Sequence, residues 1–486
     1  MNRAIRTLAV GCLALFLALL LNVNYLQFVN ADALSSHTDN RRVRDAEYSR
    51  ERGPILVAGN PIARSVRVDD QYRYLRRYPQ AELYAHLTGY YSYLYGRSGI
   101  EASQNDILSG ADPRLFADQV ADLLGNSQPQ GGSVSLTVDP RAQRAAHQGL
   151  VALPERAKGA VVALDPQTGA VLALSSLPSY DPNRLATHDL DAEQQVWKRL
   201  NARPDQPMFN RGTQQIYPPG STFKLVTAAA ALSSGRFTPQ SQVPGGLSLD
   251  LPLTSRDLIN QNGGSCGPAR ISMTEALRIS CNVSFGWLGL ELGADALREQ
   301  AQKFGFGEDV LSDVPTAPSV FPEEVDEPQA ALSAIGQFEV AATPLQMAMV
   351  TAGIANGGVV MQPYLVDEVR SPDLDVLSTA SPEELRTAVS SEVAAKLTAM
   401  MVEVVRSGTG APAQIPGLSV AGKTGTAQSA PDRPPYAWFV SFAPADDPQV
   451  AVAVLIEDAN VPREAITGGG LAGPIAKAVM EAVINR

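Results

Sequence analysis

The sequence predicts an α+β fold in which helices flank an antiparallel sheet. Two apolar runs, residues 160–164 and 170–174, are separated by the turn-forming segment Asp165-Pro-Gln-Thr-Gly169, and this pattern predicts a β-hairpin. Apolar periodicity predicts two further strands and three helices: strands 438–442 and 450–456, and helices 221–234, 272–292 and 472–485. Helices set among antiparallel strands are typical of the α+β class.

The first element is an apolar segment near the amino terminus. Residues 8–29 carry no charged side chain, and Arg3 and Arg6 precede them. This length reaches the ~20 residues that cross a bilayer. We expect a signal anchor that leaves 1–7 in the cytoplasm and places the remainder outside the plasma membrane, in a single pass. A cleaved signal peptide, with Ala31-Asp-Ala33 as the cleavage site, and a buried soluble helix are the alternatives.

Two domains are predicted after the anchor, which agrees with the two to four that 486 residues allow. Residues 30–134 are polar and rich in Arg and Tyr, and they end in a linker-like segment, 127–132. Residues 135–486 form the larger predicted domain, which begins where strand-like alternation begins. The formal net charge of −11 lacks the basic excess of a nucleic-acid-binding protein.

The segment Tyr217-Pro-Pro-Gly-Ser-Thr-Phe-Lys224 leads into an Ala-rich predicted helix. Pro and Gly make the turn sharp and leave Ser221 at the helix N-terminus, where unpaired amides favour developing negative charge. Lys224 lies three residues on, on the same face. This spacing suits a serine nucleophile whose base is a lysine amine. The alternative is that Ser221 caps the helix and Lys224 is solvated.

A second candidate motif is Lys423-Thr-Gly-Thr426. It is predicted to form an edge strand, where Gly425 lets a substrate backbone approach closely. The Lys423 cation and the hydroxyls of Thr424 and Thr426 suit a terminal carboxylate. Only seven of the 39 basic residues are lysines, so a lysine within a motif is informative. The alternative is a Gly-containing turn with a surface lysine.

Ser280-Cys-Asn282 is a third candidate, at the end of a predicted helix. The pattern is weak by itself, because Ser103-Gln-Asn105 repeats it in a region without predicted chemistry. Its position between the other two motifs distinguishes it.

Taken in chain order, the three motifs resemble those of the penicillin-recognising serine enzymes: Ser221-Thr-Phe-Lys224, then Ser280-Cys-Asn282, then Lys423-Thr-Gly425. Two N-terminal segments, Arg52-Gly-Pro-Ile55 and Tyr95–Glu101, are similar to the pedestal module of class B penicillin-binding proteins. Residues 159–169 and Gly468-Gly-Gly470 are similar to their transpeptidase domain. The resemblance covers nearly the whole chain from about residue 45. It implies the penicillin-binding transpeptidase fold with a smaller N-terminal pedestal.

The resemblance also implies an activity, the cross-linking of peptidoglycan stem peptides that end in D-Ala-D-Ala. Ser221 would form the acyl-enzyme and Lys224 would be its general base. Ser280 would pass a proton to the leaving amine, and Asn282 would hydrogen-bond Lys224 and the substrate. β-Lactams would acylate Ser221 in the same way, and no metal or cofactor is called for.

The resemblance implies further roles for the motif Lys423-Thr-Gly-Thr426. Lys423 would set the local field, while Thr424, Gly425 and Thr426 would bind the substrate. The backbone amides of Ser221 and Thr426 would form the oxyanion hole. A polytopic glycan polymerase is the partner that the family resemblance implies.

The same residues are also compatible with other functions. A D,D-carboxypeptidase or a β-lactamase uses the same serine, and a β-lactam sensor or an inactive scaffold of a wall-synthesis complex comes from another class. Cys281 stands where β-lactamases have aspartate, which argues against efficient β-lactam hydrolysis. A sensor needs a cytoplasmic signalling path, whereas only about six residues precede the apolar segment.

Two further groups of residues carry expectations. Outside the cytoplasm Cys266 and Cys281 can form a disulfide, and two unpaired thiols are the alternative. The histidines lie in none of the three motifs, so a Ser-His-Asp hydrolase is unsupported. The acidic run Asp191–Glu193 is predicted to be a solvated face.

Overall fold

The computed structural model describes residues 2–29, 41–115, 130–261, 263–428 and 433–485. The cleavage-like residues 31–33 and part of the predicted linker, 127–129, lie outside these ranges. The remainder of that linker is packed: Gly131 donates its amide to the Glu51 carbonyl, and Gly132 is buried. This part of the segment is therefore a structural contact and not a free connection.

The helices of the described residues are numbered in chain order, and α4, α5, α9 and α12 are short. They are α1 (Asn2–Asn24), α2 (Arg41–Tyr48), α3 (Ala81–Thr88), α4 (Ile100–Ser103), α5 (Asn105–Ser109), α6 (Pro140–Val151), α7 (Leu190–Asn201), α8 (Lys224–Ser233), α9 (Met273–Arg278), α10 (Asn282–Leu292), α11 (Ala294–Lys303), α12 (Glu327–Ser333), α13 (Pro344–Ala355), α14 (Ser391–Ser407) and α15 (Gly473–Ile484).

The strands are numbered in the same way. They are β1 (Ile55–Val57), β2 (Asn60–Arg67), β3 (Tyr74–Arg77), β4 (Tyr91–Ser92), β5 (Gly96–Arg97), β6 (Ser133–Leu136), β7 (Lys158–Leu164), β8 (Val171–Leu177), β9 (Gln242–Pro244), β10 (Ser248–Leu249), β11 (Leu258–Ile259), β12 (Arg270–Ser272), β13 (Val359–Met361), β14 (Val366–Arg370), β15 (Val376–Thr379), β16 (Glu384–Thr387), β17 (Ala421–Ala427), β18 (Tyr436–Ala443) and β19 (Val450–Asp458).

The main sheet of the larger domain has the order β17-β18-β19-β7-β8, and every neighbouring pair is antiparallel. Its strands are buried on both faces because helices cover each one. Val161 belongs to the hydrophobic cluster that includes residues of α6 and α15, whereas Val162 belongs to the cluster that includes residues of α8 and α13. The α+β prediction of an antiparallel sheet flanked by helices is confirmed, as are the hairpin and the C-terminal helix.

The predicted helix 272–292 is wrong in one respect, because two helices occupy this range. Helix α9 ends at Arg278 and α10 begins at Asn282. Between them Ser280 adopts a φ of 63°, a left-handed backbone conformation that a non-glycine residue rarely takes. The break turns Ser280 out of the helical path and into the cleft described below.

The smaller sheet has the order β15-β14-β6-β1-β2-β3. Strands β14 and β15 come from within the predicted larger domain, and β14 pairs with β6 at the end of the N-terminal module. At the centre of that module the buried Glu101 carboxylate accepts hydrogen bonds from Arg52 and Arg76, at 2.6 and 2.7 Å. The charge network therefore stabilises the module internally, and the shared sheet joins the module to the rest of the chain.

The amino-terminal helix α1 continues as one turn of π-helix to Val29. Residues Arg3–Gln27 form a 25-residue helix whose length and hydropathy make it a candidate membrane span, and its apolar side chains are exposed.

The expectation that Asp191–Glu193 is solvated is wrong for Glu193. This side chain is buried where α7 meets the N-terminal module, and it accepts hydrogen bonds from the Ser92 hydroxyl and from the Leu94 amide. Burial raises the pKa of the Glu193 carboxyl despite these two donors.

A Glu193→Gln variant is expected to change the pH dependence of stability. Because the pKa of Glu193 is higher in the folded than in the unfolded state, this carboxyl contributes favourably to the free energy of unfolding. The contribution is complete below the unfolded pKa of about 4.3 and is lost as pH rises through the folded pKa. The unfolding free energy of wild type should therefore fall relative to that of Glu193→Gln as pH rises from about 4 to 8. Urea denaturation across this range measures it. The exposed Glu299→Gln is the control, and a difference that stays constant with pH would contradict the prediction.

Candidate active site

Ser221 lies in a tight turn that ends directly before α8. Residues Gly220–Thr222 form one turn of 3-10 helix, with Gly220 at a φ of 52°, and the Gly220 amide donates to the Gly336 carbonyl at 2.9 Å. A Cβ at Gly336 would lie 2.1 Å from the Gly220 oxygen, so this approach requires glycine. The turn lies against the end of β17, since a Cβ at Gly220 would be 3.1 Å from the Thr426 carbonyl oxygen, and Ser221 is only 7% exposed.

Trp438 in β18 fixes the segment before the turn. Its indole Nε1 donates to the Pro218 carbonyl at 3.0 Å, and its ring meets the Tyr217 ring edge to face. The buried Trp438 therefore connects the sheet to the serine turn.

Lys224, in the first turn of α8, is buried. Its Nζ donates to the Ser280 carbonyl and to Asn282 Oδ1, both at 2.8 Å. Burial lowers the pKa of this amine well below its ordinary value of 10.5, and the Lys423 charge lowers it further. Within the described residues Nζ makes these two bonds and a longer one, of 3.4 Å, to Ser280 Oγ, but none to Ser221 Oγ.

Lys423 occupies the facing strand, β17, at the edge of the main sheet. Its buried Nζ donates to Ser280 Oγ and to the Thr424 carbonyl, both at 2.8 Å. Burial lowers the pKa of Lys423 to about 7. Since Lys224 Nζ lies 3.4 Å from Ser280 Oγ, that hydroxyl stands between two amines with depressed pKa values.

The break between α9 and α10 positions Ser280 and Asn282 for these contacts. The Cys281 amide donates to the Ala276 carbonyl at 2.8 Å, and the sulfurs of Cys266 and Cys281 are bonded, with the Cα atoms 5.9 Å apart. The Cys266 loop is thus attached directly to the Ser280 turn.

A cleft of about 760 Å³ opens beside these residues. Its walls include Ser280, Thr424 and Thr426, and the glycines Gly468–Gly470 form its floor. The hydroxyls of Thr409 and Thr424 are 2.6 Å apart. At Gly425 a Cβ would lie 3.0 Å from Thr222 Cγ2 and 2.9 Å from Trp438 Cβ, which leaves no room for a larger residue.

The structure brings together every candidate residue that the sequence nominated: Ser221, Lys224, Ser280, Asn282, Lys423, Thr424, Gly425 and Thr426. Sequence reasoning missed Thr409 and Asn260, because no local pattern marks either residue. In the described part of the chain no three His, Cys, Asp or Glu side chains are placed to hold a metal ion. His37 lies outside the described residues, and His188 pairs with Asp70, outside the cleft.

Chemically the site combines a buried serine, an amine with a lowered pKa, a hydroxyl between two amines and a polar cleft. That set suits acyl transfer through a serine ester. A neutral amine has two N–H groups and one lone pair. If the Ser280 carbonyl and Asn282 Oδ1 take the two N–H groups, the lone pair is free to accept a proton. Bonds to the nucleophile are often longer in a free enzyme than in its substrate complex.

Comparison with known proteins places this site in a family. Residues 159–481 match the family described as the penicillin binding protein transpeptidase domain, and residues 52–134 match the penicillin binding protein A dimerisation domain. The peptidoglycan D,D-transpeptidase PbpA of Mycolicibacterium smegmatis is 44% identical, with 100% of this chain and 99% of the relative aligned.

The fold also matches solved structures of related proteins. The ceftriaxone acyl-enzyme complex of penicillin-binding protein A from M. tuberculosis superposes with a TM-score of 0.87 at 43% identity, over 90% of this chain and 100% of that one. The penicillin G acyl-enzyme complex of the same protein gives a TM-score of 0.84 at 43% identity, over the same shares of the two chains.

Proposed function

The chain belongs to the penicillin-binding protein transpeptidase family, and from that premise we propose that it is a peptidoglycan D,D-transpeptidase acting through Ser221. The observation that carries the assignment of residues is the buried contact of Lys224 Nζ with both Ser280 and Asn282, beside the serine turn. The reaction cross-links stem peptides and releases the terminal D-alanine, and β-lactams acylate the same enzyme.

In the first half-reaction Ser221 Oγ attacks the carbonyl carbon of the penultimate D-alanine. Lys224 takes the hydroxyl proton, and its lowered pKa favours the neutral, proton-accepting form of the amine. The carbonyl oxygen becomes an oxyanion beside the amides of Ser221 and Thr426, a stabilisation of roughly 3–4 kcal/mol per donor in related acyl transfers. The C–N bond then breaks, and the terminal D-alanine leaves as an amine.

Ser280 supplies the proton for that leaving nitrogen. Its Oγ accepts from Lys423 Nζ at 2.8 Å and lies 3.4 Å from Lys224 Nζ, so it connects the protonated base with the departing amine. In the second half-reaction an amine of another stem peptide attacks the Ser221 ester. Its proton returns through Lys224, and the ester C–O bond breaks to regenerate the serine.

A β-lactam follows only the first half of this path. Ser221 opens the ring amide, but the leaving nitrogen stays tethered to the acyl group, so no acceptor amine can take its place. The acyl-enzyme therefore persists unless water is activated. Cys281, where β-lactamases carry aspartate, supports slow hydrolysis.

The arrangement along the chain supports a membrane-anchored enzyme. We assign 1–7 to the cytoplasm, 8–29 to the span, 30–134 to the N-terminal module and 135–486 to the transpeptidase domain outside the membrane. Arg3 and Arg6 before the apolar helix support this orientation. A polytopic glycan polymerase that contacts the anchor and the module is the proposed partner.

Mass spectrometry with a stem-peptide thioester donor and an amine acceptor tests the activity. We expect an acyl adduct on the peptide containing Ser221, followed by a cross-linked product that depends on the acceptor. Omitting the acceptor is the control and should leave slow hydrolysis alone. If hydrolysis is the only outcome with acceptor present, the protein is a carboxypeptidase.

A further inference from the structure

Asn260, outside all three motifs, follows β11 and is almost fully buried beside the Ser280 turn. Its amide Nδ2 donates to the carbonyls of Gly246 and Gly264, at 3.0 and 2.8 Å. Its Oδ1 accepts from the backbone amides of Asn282 and Val283, at 3.1 and 3.2 Å. Both Nδ2 and Oδ1 of Asn260 are therefore hydrogen-bonded to neighbouring backbone groups.

The Oδ1 contacts do the work of a helix N-cap. Helix α10 begins at Asn282, and its N-cap residue, Cys281, makes no side-chain capping bond because its sulfur is bonded to Cys266. The first amides of a helix have no partner within the helix, and a short polar side chain normally supplies one. Here that side chain comes from a residue more than 20 positions earlier in the chain.

The capped turn is also the strained one. Ser280 holds its φ of 63° immediately before α10, and such a conformation persists only where the surroundings impose it. Asn282 extends from the first position of α10, accepts from Lys224 Nζ at 2.8 Å and donates to the Ile259 carbonyl at 3.2 Å. The residue before Asn260 thus holds the Asn282 side chain, while Asn260 itself holds the Asn282 backbone.

We propose that Asn260 is a positioning residue for acylation, which caps α10 from outside and thereby sets the place of Asn282 against Lys224. The inference rests on the proposed acyl-enzyme chemistry. Asn260 need not touch the substrate, because its effect passes through Asn282. Displacement of a reacting group by about 1 Å is enough to slow an enzyme roughly 100-fold.

A double-mutant cycle in the full-length protein tests this inference. The second-order rate constant of acylation by a fluorescent penicillin is measured for wild type, Asn260→Ala, Asn282→Ala and the double variant. We expect Asn260→Ala to lower the constant by about 100-fold. In the Asn282→Ala background the Asn260→Ala change should lower the rate constant by less than about threefold, since the effects of residues that act through one another are not additive. Full additivity would overturn the proposal.

Matched variants separate positioning from folding. Asn183 also uses its side chain to bridge two segments, bonding both the amide and the carbonyl of Tyr78, and Asn183→Ala should acylate within about twofold of wild type. Asn260→Asp keeps an acceptor oxygen for the two α10 amides. At a pH high enough to keep the Lys224 amine neutral, the Asn260→Asp variant should be acylated at least tenfold faster than Asn260→Ala. Equal rates for these two variants would overturn the proposal even if Asn260→Ala is poorly folded.

Failure of this inference and failure of the proposed function give different results. If wild type forms no covalent adduct, the acyl-enzyme chemistry itself is wrong. If wild type is acylated and the cycle is additive, only the role of Asn260 is wrong.

Discussion

A Ser221→Ala variant is expected to form no covalent adduct with a fluorescent penicillin. The hydroxyl is the atom that would become the ester oxygen, and loss of a serine nucleophile costs on the order of 10⁶ in rate in a related acyl-transfer enzyme. Ser221 lies in a turn held by Gly336 and Trp438, and the methyl of alanine fits that turn without new contacts. Labelling followed by electrophoresis and intact-protein mass spectrometry measures the outcome.

The matched control is Ser234→Ala, directly after the end of α8, where among the described residues the hydroxyl donates to the Ala231 carbonyl and accepts from the Arg236 amide. This variant should be labelled as wild type. Equal thermal unfolding midpoints of Ser221→Ala and wild type would show that the turn is intact. Labelled Ser221→Ala protein with the adduct on another residue would overturn the assignment of the nucleophile.

Four strands of the main sheet were predictable because they are long and mostly apolar. Residues 160–164 and 170–174 are buried on both faces, and the five-residue turn between them is typical of a hairpin. The C-terminal helix was predictable for a similar reason, since its apolar periodicity follows a proline in the first turn. These signals are local and therefore visible in the sequence.

The third candidate motif was predicted to lie at a helix end, but the left-handed turn that separates α9 from α10 was not predictable from local propensity. Residues 272–292 contain no proline, and the glycines at 286 and 289 lie well inside α10. Tertiary contacts impose the break: the two lysine amines, the Cys266 link and the Asn260 cap all converge on the turn. Each partner is distant in sequence, so no window along the chain contains the cause.

The same distinction between local signals and tertiary contacts applies to the active site and to the boundary of the N-terminal module. Ser221 and Lys224 are three residues apart, whereas Thr409 and Asn260 reach the cleft only through the fold. Glu193 looked solvated because acidic residues surround it, yet its partner Ser92 comes from the N-terminal module. Strands β14 and β15 join that module's sheet from more than 200 residues later, a pairing that carries no sequence signal.

Lys224→Arg is expected to lower the acylation rate constant by about 1,000-fold, within the range by which a positioned general base contributes. Arginine keeps the positive charge but does not lose its proton in proteins, so it cannot accept the proton of Ser221. The matched control is Lys396→Arg on α14, where the partly exposed side chain forms an ion pair with Glu392. A rate within tenfold of wild type for Lys224→Arg would exclude Lys224 as the base.

The pH profile distinguishes a lost base from a disturbed pocket. Burial and the Lys423 charge lower the pKa of Lys224. The neutral, proton-accepting form of the amine therefore already predominates at pH values well below 10.5. Acylation of wild type should therefore rise with pH through that lowered pKa and then reach a plateau. Lys224→Arg should lack this rise, because its side chain stays charged throughout. A variant that merely crowded the pocket would keep the rise at a lower level, and that result would show that another group is the base.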